Sequence, residues 1–310
     1  MRRRALLWGA AIVLLAALPP FALALGQAFY IDLVRRIMIF ALAAISLNLI
    51  LGYGGMVSFG HAAYLGVGAY AVGILAFYGI DNGWLQWALA IGASALVALA
   101  IGAVSIRTSG IYFIMITLAF TQMLYYLGIS LAVYGGDDGM RLKIRSQFSG
   151  LVDLGDSVQF YYVVLALTLL ATLLIHRIVN SRFGMVLRAS KSNESRSRAI
   201  GFSPYAYRLA AFVIAGAMCG LAGALLANHT NYLTPDFMHW TRSGEIMFMV
   251  ILGGMASIAG PLLGAFALLL VEDALSAWTQ HWQVFLGPLL VLSVLFFKRG
   301  LAGVFAHKHD

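Results

Sequence analysis

Apolar stretches recur along this sequence at a length that soluble folds seldom use. They lie at roughly 5–25, 31–51, 60–79, 84–105, 110–132, 159–176, 207–228, 244–260, 262–278 and 284–297. An α-helix rises about 1.5 Å per residue, so about twenty residues cross the roughly 30 Å hydrocarbon core of a bilayer. Water cannot be kept from so many helices by the polar residues present. Of the 310 residues, 62% are hydrophobic and 10% charged, where a soluble domain carries about a quarter charged residues. Short alternating segments of about ten residues, the mark of a membrane β-barrel, are absent. The expected fold is all-α and polytopic, with about ten transmembrane helices in one domain covering 1–310.

The charges between these stretches set an orientation. With both termini in the cytoplasm, the inner side holds Arg2, Arg3, Arg4, Arg107, the basic residues between Arg177 and Arg208, and Lys298, Arg299 and Lys308. The outer side holds Arg35, Arg36, Arg141, Lys143, Arg145 and Arg242. The positive-inside rule selects this arrangement. The net charge of +8 then expresses topology and contact with anionic membrane lipid, and no nucleic-acid partner is implied. Trp84, Trp87, Trp240, Trp278 and Trp282 fall at the outer interface and Trp8 at the inner one, where amphipathic rings are favoured. On this reading about 133–158 is a periplasmic loop and about 177–207 a cytoplasmic one. Arg35 and Arg36 interrupt the second stretch and are expected to snorkel to the outer surface. The opening MRRR, an apolar run and Ala22-Leu23-Ala24 look like a signal peptide; the length of the run favours a retained helix.

Chemistry is scarce. No G-x-x-x-x-G-K-[ST] phosphate cradle, H-E-x-x-H or G-x-S-x-G occurs, and each of those chemistries needs its residues at that spacing. The single cysteine, Cys219, permits no internal disulfide or metal cluster and reads as a small packing residue. No catalytic residue, metal or cofactor is assigned to this chain. The middles of the stretches are nearly free of ionisable groups, where proton- or ion-coupled carriers usually keep them. Glu245 falls at a stretch end; Glu272 and Asp273 read as outer-surface solvation or capping, with a coupling carboxylate as the alternative. If the protein pumps, another chain supplies the energy.

Two segments stand out. Gly52, Gly54, Gly55 and Gly60 interrupt the helix around Tyr53 and Ser58, and Ala62, Gly66, Ala69 and Gly73 then form a small-residue stripe suited to tight packing. The run Gly54-Gly55-Met56-Val57-Ser58-Phe59 is echoed by Gly253-Gly254-Met255-Ala256-Ser257-Ile258, a hint of two duplicated halves. Asn48, Gly54, Gly55, Ser58, His61, Thr117, Gly253, Gly254 and Ser257 are the residues expected at a translocation pathway or hinge. His61 has three readings open: a hydrogen bond to a neighbouring helix, a pathway group, or a pH sensor. In the basic segment 182–212, Ser192 or Asn193 is expected to start a helix of about two turns. Glu194 suits its first turn, Gly201 its end, and Pro204 prevents simple continuation.

Four ordered motifs carry a family resemblance. LNLILGYGGMVSFGHAAYLGVGAYAVGIL (47–75), the segment from Arg182 to Leu225, MVILGGMASIAGPLLGAF (249–266) and FLGPLLVLSVLFFKRGLAG (285–303) resemble LivM-type permeases, the membrane subunits of branched-chain amino acid ABC importers. The resemblance spans about 37–303. It implies transport across a bacterial inner membrane, powered by two cytoplasmic ATPase subunits that bind ATP and Mg. It also implies a second, different permease subunit and a periplasmic substrate-binding protein. It gives Arg188, Asn193, Glu194, Arg198 and Gly201 to an ATPase-coupling segment. Urea, short amides or other small organic solutes remain alternative cargoes, and an ion-coupled secondary carrier the alternative mechanism.

Overall fold

In a computed structural model, residues 2–150, 152–296 and 300–306 are described. Lys298, Arg299 and Lys308, and the side chains of Arg2, Arg3, Arg4 and Trp8, lie outside the described residues. The chain is almost wholly helical. In order come α1 (Arg2–Ala24), α2 (Phe29–Asn48) prolonged by a π turn (Leu49–Tyr53), α3 (His61–Phe77), α4 (Gly83–Ser105) and α5 (Ile111–Ser130). A loop containing the short strand β1 (Met140–Arg141) leads to α6 (Ser157–Val179), α7 (Arg182–Ser192), α8 (Glu194–Ala199) and α9 (Pro204–Thr230). Then follow β2 (Tyr232–Leu233), a 3-10 turn (Pro235–Met238), α10 (Trp240–Gly253), α11 (Gly260–Trp278), α12 (Trp282–Phe296) and α13 (Gly300–Ala306). β1 and β2 pair antiparallel, Met140 opposite Leu233.

Six of these elements, among them α2 with its π turn, α4, α5, α6, α9 and α11, are long and apolar enough to cross a membrane. Caps mark several starts. The Asn82 side chain accepts the Trp84 N–H at 3.0 Å, Asp156 accepts that of Val158 at 2.9 Å, and Pro204 opens α9, all positions that meet orphan helix donors or need none. α2 is the axis of the bundle, buried from Ile37 through Tyr53, and α6, α9, α10 and α11 pack around it. Without a hydrophobic driving force between helices in lipid, close backbone approach must hold them. α9 supplies it. Gly216 and Gly220 lie against Ala98 and Ser94 of α4, and Gly223 lies against the Leu65 carbonyl of α3. The small stripe on α3 is used differently from its expected role: Gly66 and Gly73 receive Met238 and Leu233, while Gly68, outside that stripe, meets Gly220.

The bundle has two distinct ends. One carries the loop around 133–156, here the loop end; the other carries α7 and α8, here the basic end. At the loop end Arg35 is 2% exposed, so it does not snorkel. Its partners come from far along the chain. Nε donates to His229 Nδ1 at 3.0 Å, one terminal nitrogen reaches the Ser157 carbonyl at 3.4 Å, and the other pairs with Asp32. The guanidinium also lies over the Phe160 ring, 4.6 Å from its centroid. α2, α6 and α9 are thus clasped by one side chain, and Arg36 with Glu272 at 3.2 Å adds α11. Arg35→Met keeps apolar volume but orphans the carbonyl and the imidazole. It is expected to lower stability by about 2–4 kcal/mol, read as an earlier unfolding transition in detergent.

The eighth expected span is corrected. Residues 244–260 are not one helix: α10 has 14 residues and ends at Gly253, and a turn separates it from α11. α10 also begins at membrane depth. The Ser243 hydroxyl donates to the Phe59 carbonyl at 2.7 Å and accepts the Ala62 N–H at 2.9 Å. Phe59 is held midway along α5, where Thr117 Oγ1 accepts its N–H at 3.3 Å and the Thr121 hydroxyl donates to its carbonyl at 3.1 Å. Thr117 is about 9 Å from one end of α5 and Thr121 about 13 Å from the other. Trp240 and Arg242 therefore do not sit at the outer interface. Residues 232–239 descend along α3 from Gly73 to Gly66 before α10 starts.

Candidate functional site

Both glycine breaks lie toward the basic end, and both join a helix running down toward that end to one running back up. In the first, α2 loosens into the π turn, Gly55 takes φ +70°, and residues 54–60 climb back to membrane depth, where α3 begins at His61. In the second, α10 stops, Gly254 takes φ +113°, and α11 begins at Gly260. These left-handed turns are open to glycine at little steric cost. The serines act alike: Ser58 Oγ accepts the Gly60 N–H at 3.0 Å, and Ser257 Oγ accepts that of Gly260 at 2.9 Å. The two breaks share direction as well as motif.

Asn48 joins the breaks. Its amide nitrogen donates to the Ser257 carbonyl at 2.8 Å and its oxygen accepts the Ala256 N–H at 3.1 Å. The second break is thereby fastened to the last residue of α2, directly before the π turn. His61 is fully buried. The Ser46 hydroxyl donates to the Ala43 carbonyl at 2.7 Å, so His61 Nε2–H donates to that hydroxyl across 2.8 Å, and Nδ1 has no partner. The Cys219 thiol, also buried, points to the His61 carbonyl at 3.4 Å. Asn48, Ser58, His61 and Thr117 are each at most 1% exposed. The structure brings them together with the glycines as the joinery of two helix breaks.

At the basic end the sequence anticipated one helix and the structure has two. α7 is amphipathic: Phe183, Val186, Leu187 and Ser190 recur at helical spacing, and Leu187 and Ser190 are buried. Ser181 caps it, accepting the Gly184 N–H at 3.5 Å. α8 follows after a single residue. Asn193, rather than Ser192, is its cap, accepting the Arg196 N–H at 2.9 Å. Gly201 at φ +90° ends it, with the Phe202 N–H returning to the Ser197 carbonyl at 3.2 Å, the Schellman closure. Glu194 pairs with Arg198 at 2.5 Å and Arg208 at 2.7 Å. Arg208 also reaches the Ser190 carbonyl at 2.9 Å, tying α7, α8 and α9. Arg188 points back into the chain, bonding the Gly184 and Val179 carbonyls at 3.3 Å. Arg198 and Arg196 remain on the open side of α8.

Lys191 was missed by the sequence reading. Its Nζ donates to the Gly52 carbonyl at 2.7 Å, one of the carbonyls the end of a helix leaves free, where a cation is favoured. Its stem lies on Gly55, where an added Cβ would come 2.8 Å from Lys191 Cγ. The contact joins the helix pair at the basic end directly to the first glycine break. No local pattern marks it, because it depends on how α7 is turned against α2.

At the loop end, residues 142–148, Gly150, Val152, Asp153, Gly155 and Asn231 line an open cavity of about 630 Å³. Arg145 holds the loop by bonds to Asn231 Oδ1 at 3.0 Å and the Leu154 carbonyl at 2.8 Å, and Asn228 accepts the Ser146 N–H at 2.9 Å. Among the described residues no group of His, Cys, Asp and Glu is placed to hold a metal.

Comparison with known proteins places this arrangement. A sequence model of the branched-chain amino acid transport system permease component matches residues 29–294. The chain is 26% identical over 314 aligned residues to the high-affinity branched-chain amino acid transport system permease protein LivM of Escherichia coli, covering 94% of this chain and 73% of that one. It is 26% identical over 282 residues to LivH of the same organism, covering 85% of this chain and 91% of LivH. To the probable LivM of Methanocaldococcus jannaschii it is 25% identical over 304 residues, covering 83% and 85%. No solved structure matches.

Proposed function

The chain belongs to the branched-chain amino acid transport permease family, and on that premise we propose that it is one of two permease subunits of an ATP-driven importer of branched-chain amino acids. It is a multi-pass membrane protein. The basic end faces the cytoplasm with both termini, and the loop end faces the periplasm, as the charge distribution favours. Two ATPase subunits bind ATP and Mg at the basic end, and a binding protein delivers solute to the loop around 133–156. The second permease is a sister chain; similarity to both LivM and LivH supports a two-permease system.

The observation that carries the coupling mechanism is the Lys191–Gly52 bond. α8 stands at the surface, and Glu194 fastens it to Arg208 of α9. Pressure from an ATPase on α8 reaches α7 through the shared Asn193, and Lys191 passes it to the π turn. A π turn is a widened, less regular helical turn, so this is where α2 yields. Asn48 carries the displacement to the second break. The amino acid, bearing two charges, needs a wet route that opens to one side at a time. That route lies between the two permeases, because Asn48, Ser58, His61 and Thr117, four of the pathway residues named from sequence, are sealed inside this one.

The reading is tested by purifying the assembled importer and reconstituting it in liposomes with the binding protein. Leucine uptake that requires ATP is the expected result. Uptake of urea or acetamide in place of leucine, or uptake by this chain alone under a proton or sodium gradient, overturns it.

A further inference from the structure

We propose that Arg242 and Glu245 line the solute route and receive the two charges of the amino acid, Arg242 its carboxylate and Glu245 its ammonium group; this rests on the permease reading above. The pair is i, i+3 on α10, with Arg242 donating to Glu245 Oε2 at 2.8 Å. Three observations place it.

The first is depth. Ser243, between them in sequence, is bonded to Phe59 and Ala62, and Phe59 is fixed midway along α5 between Thr117 and Thr121. The second is exposure. Arg242 and Glu245 retain 34% and 41% of their side-chain surface, on the face that also exposes Thr241 and Phe248, while Ser243, Gly244, Ile246, Met249 and Val250 pack inward. Ionisable side chains at such depth turn to a protein interior or a water-filled cavity and away from lipid. The third is the neighbouring backbone. Residues 54–60 and 235–239 are not α-helical at this level, with Phe59 and Trp240 in ring contact at 6.4 Å. Irregular backbone at membrane depth is tolerated where protein covers it or where it borders a wet cavity.

The chemistry matches a zwitterion. A guanidinium has five donors and a carboxylate about four acceptor sites, and the bond between the two is the one described hydrogen bond of each side chain. Both keep unused capacity on the open face. A carboxylate and an ammonium group on one carbon are held a few ångströms apart, as these two groups are. Their mutual bond competes with the solute, so the solute is held weakly and released, which conduction requires. An uncharged amide or urea gains little from this arrangement.

Two measurements decide it, both on the assembled importer. In the double variant Arg242→Gln/Glu245→Gln, leucine uptake is expected to fall at least tenfold while subunit stoichiometry and binding-protein-stimulated ATP hydrolysis stay within twofold of wild type. Uptake equal to wild type overturns the proposal. Thr241→Cys, built with Cys219→Ser so that this chain carries no other thiol, is expected to react with a charged, membrane-impermeant thiol reagent, read as label on this chain alone. No reaction means that the face is covered by lipid or by the sister subunit, and the proposal falls. Wild-type leucine uptake is scored separately and tests the permease reading; the thiol reaction needs no solute and locates the pair in either case.

Discussion

Replacing Lys191 by alanine is expected to reduce ATP-driven leucine uptake at least tenfold, with the importer still assembled and still hydrolysing ATP. The ammonium group makes the bond from α7 to the Gly52 carbonyl, and the stem fills the space beside Gly55. A hydrogen bond from a charged group contributes about 1.5–3 kcal/mol, too little to hold the whole bundle together. Leu187, fully buried, still anchors α7, and Arg208 still ties α8 to α9 through Glu194. On the proposed coupling, what the variant removes is the link between the pushed helix and the turn that yields. Hydrolysis and transport measured together on one preparation give the ratio that matters. If solute moved per ATP is unchanged in Lys191→Ala, Lys191 is not the link. Lys191→Arg is expected to recover only part of the coupling, since its planar fork cannot follow the path of a single ammonium beside Gly55.

The second large effect is on folding. Gly223→Val is expected to destabilise the chain by about 3 kcal/mol or more, seen as loss of the monodisperse species after solubilisation. Any Cβ at 223 would be driven into the Leu65 carbonyl and come 3.0 Å from the Ala69 N–H, both backbone groups of α3 that cannot rotate away. A flexible neighbour would give; a helix backbone must move as a body. α3 and α9 would part, and Gly68, which abuts Gly220, would lose its contact too. A stable, fully assembled Gly223→Val variant would show that this crossing does not hold the bundle. Gly92, with open space where its Cβ would stand, serves as the control for a glycine change in a helix.

Much of the architecture was legible because span length is a physical requirement. Nine of the ten apolar stretches coincide with a helix in the described residues, and the eighth, 244–260, covers the end of α10 and the turn that follows it. The misreadings have particular causes. Hydropathy runs smoothly through 244–260 and does not register that Gly254 and Ala256 take left-handed turns. α7 was overlooked although Ser181 and the spacing of Phe183, Val186, Leu187 and Ser190 signal it, because the basic residues around them dominate a composition reading. Arg35 was assigned to the surface because its own neighbours are apolar. Beyond Asp32 on its own helix, the residues that satisfy it, Ser157 and His229, are 122 and 194 positions away, and only the fold brings them near. Asn193, Glu194 and Gly201 fell where local capping rules put them. The partnership of Asn48 with residues 256 and 257 had no local signal.

That last contact has a mechanical meaning. One side-chain amide occupies both its donor and its acceptor on the backbone of the opposite repeat, so the two turns cannot slide past each other without giving up both bonds together. On the proposed coupling they are a single hinge pin through two leaves: a stroke delivered to either leaf would swing both, and two similar turns would work as one joint where two independent ones had been available.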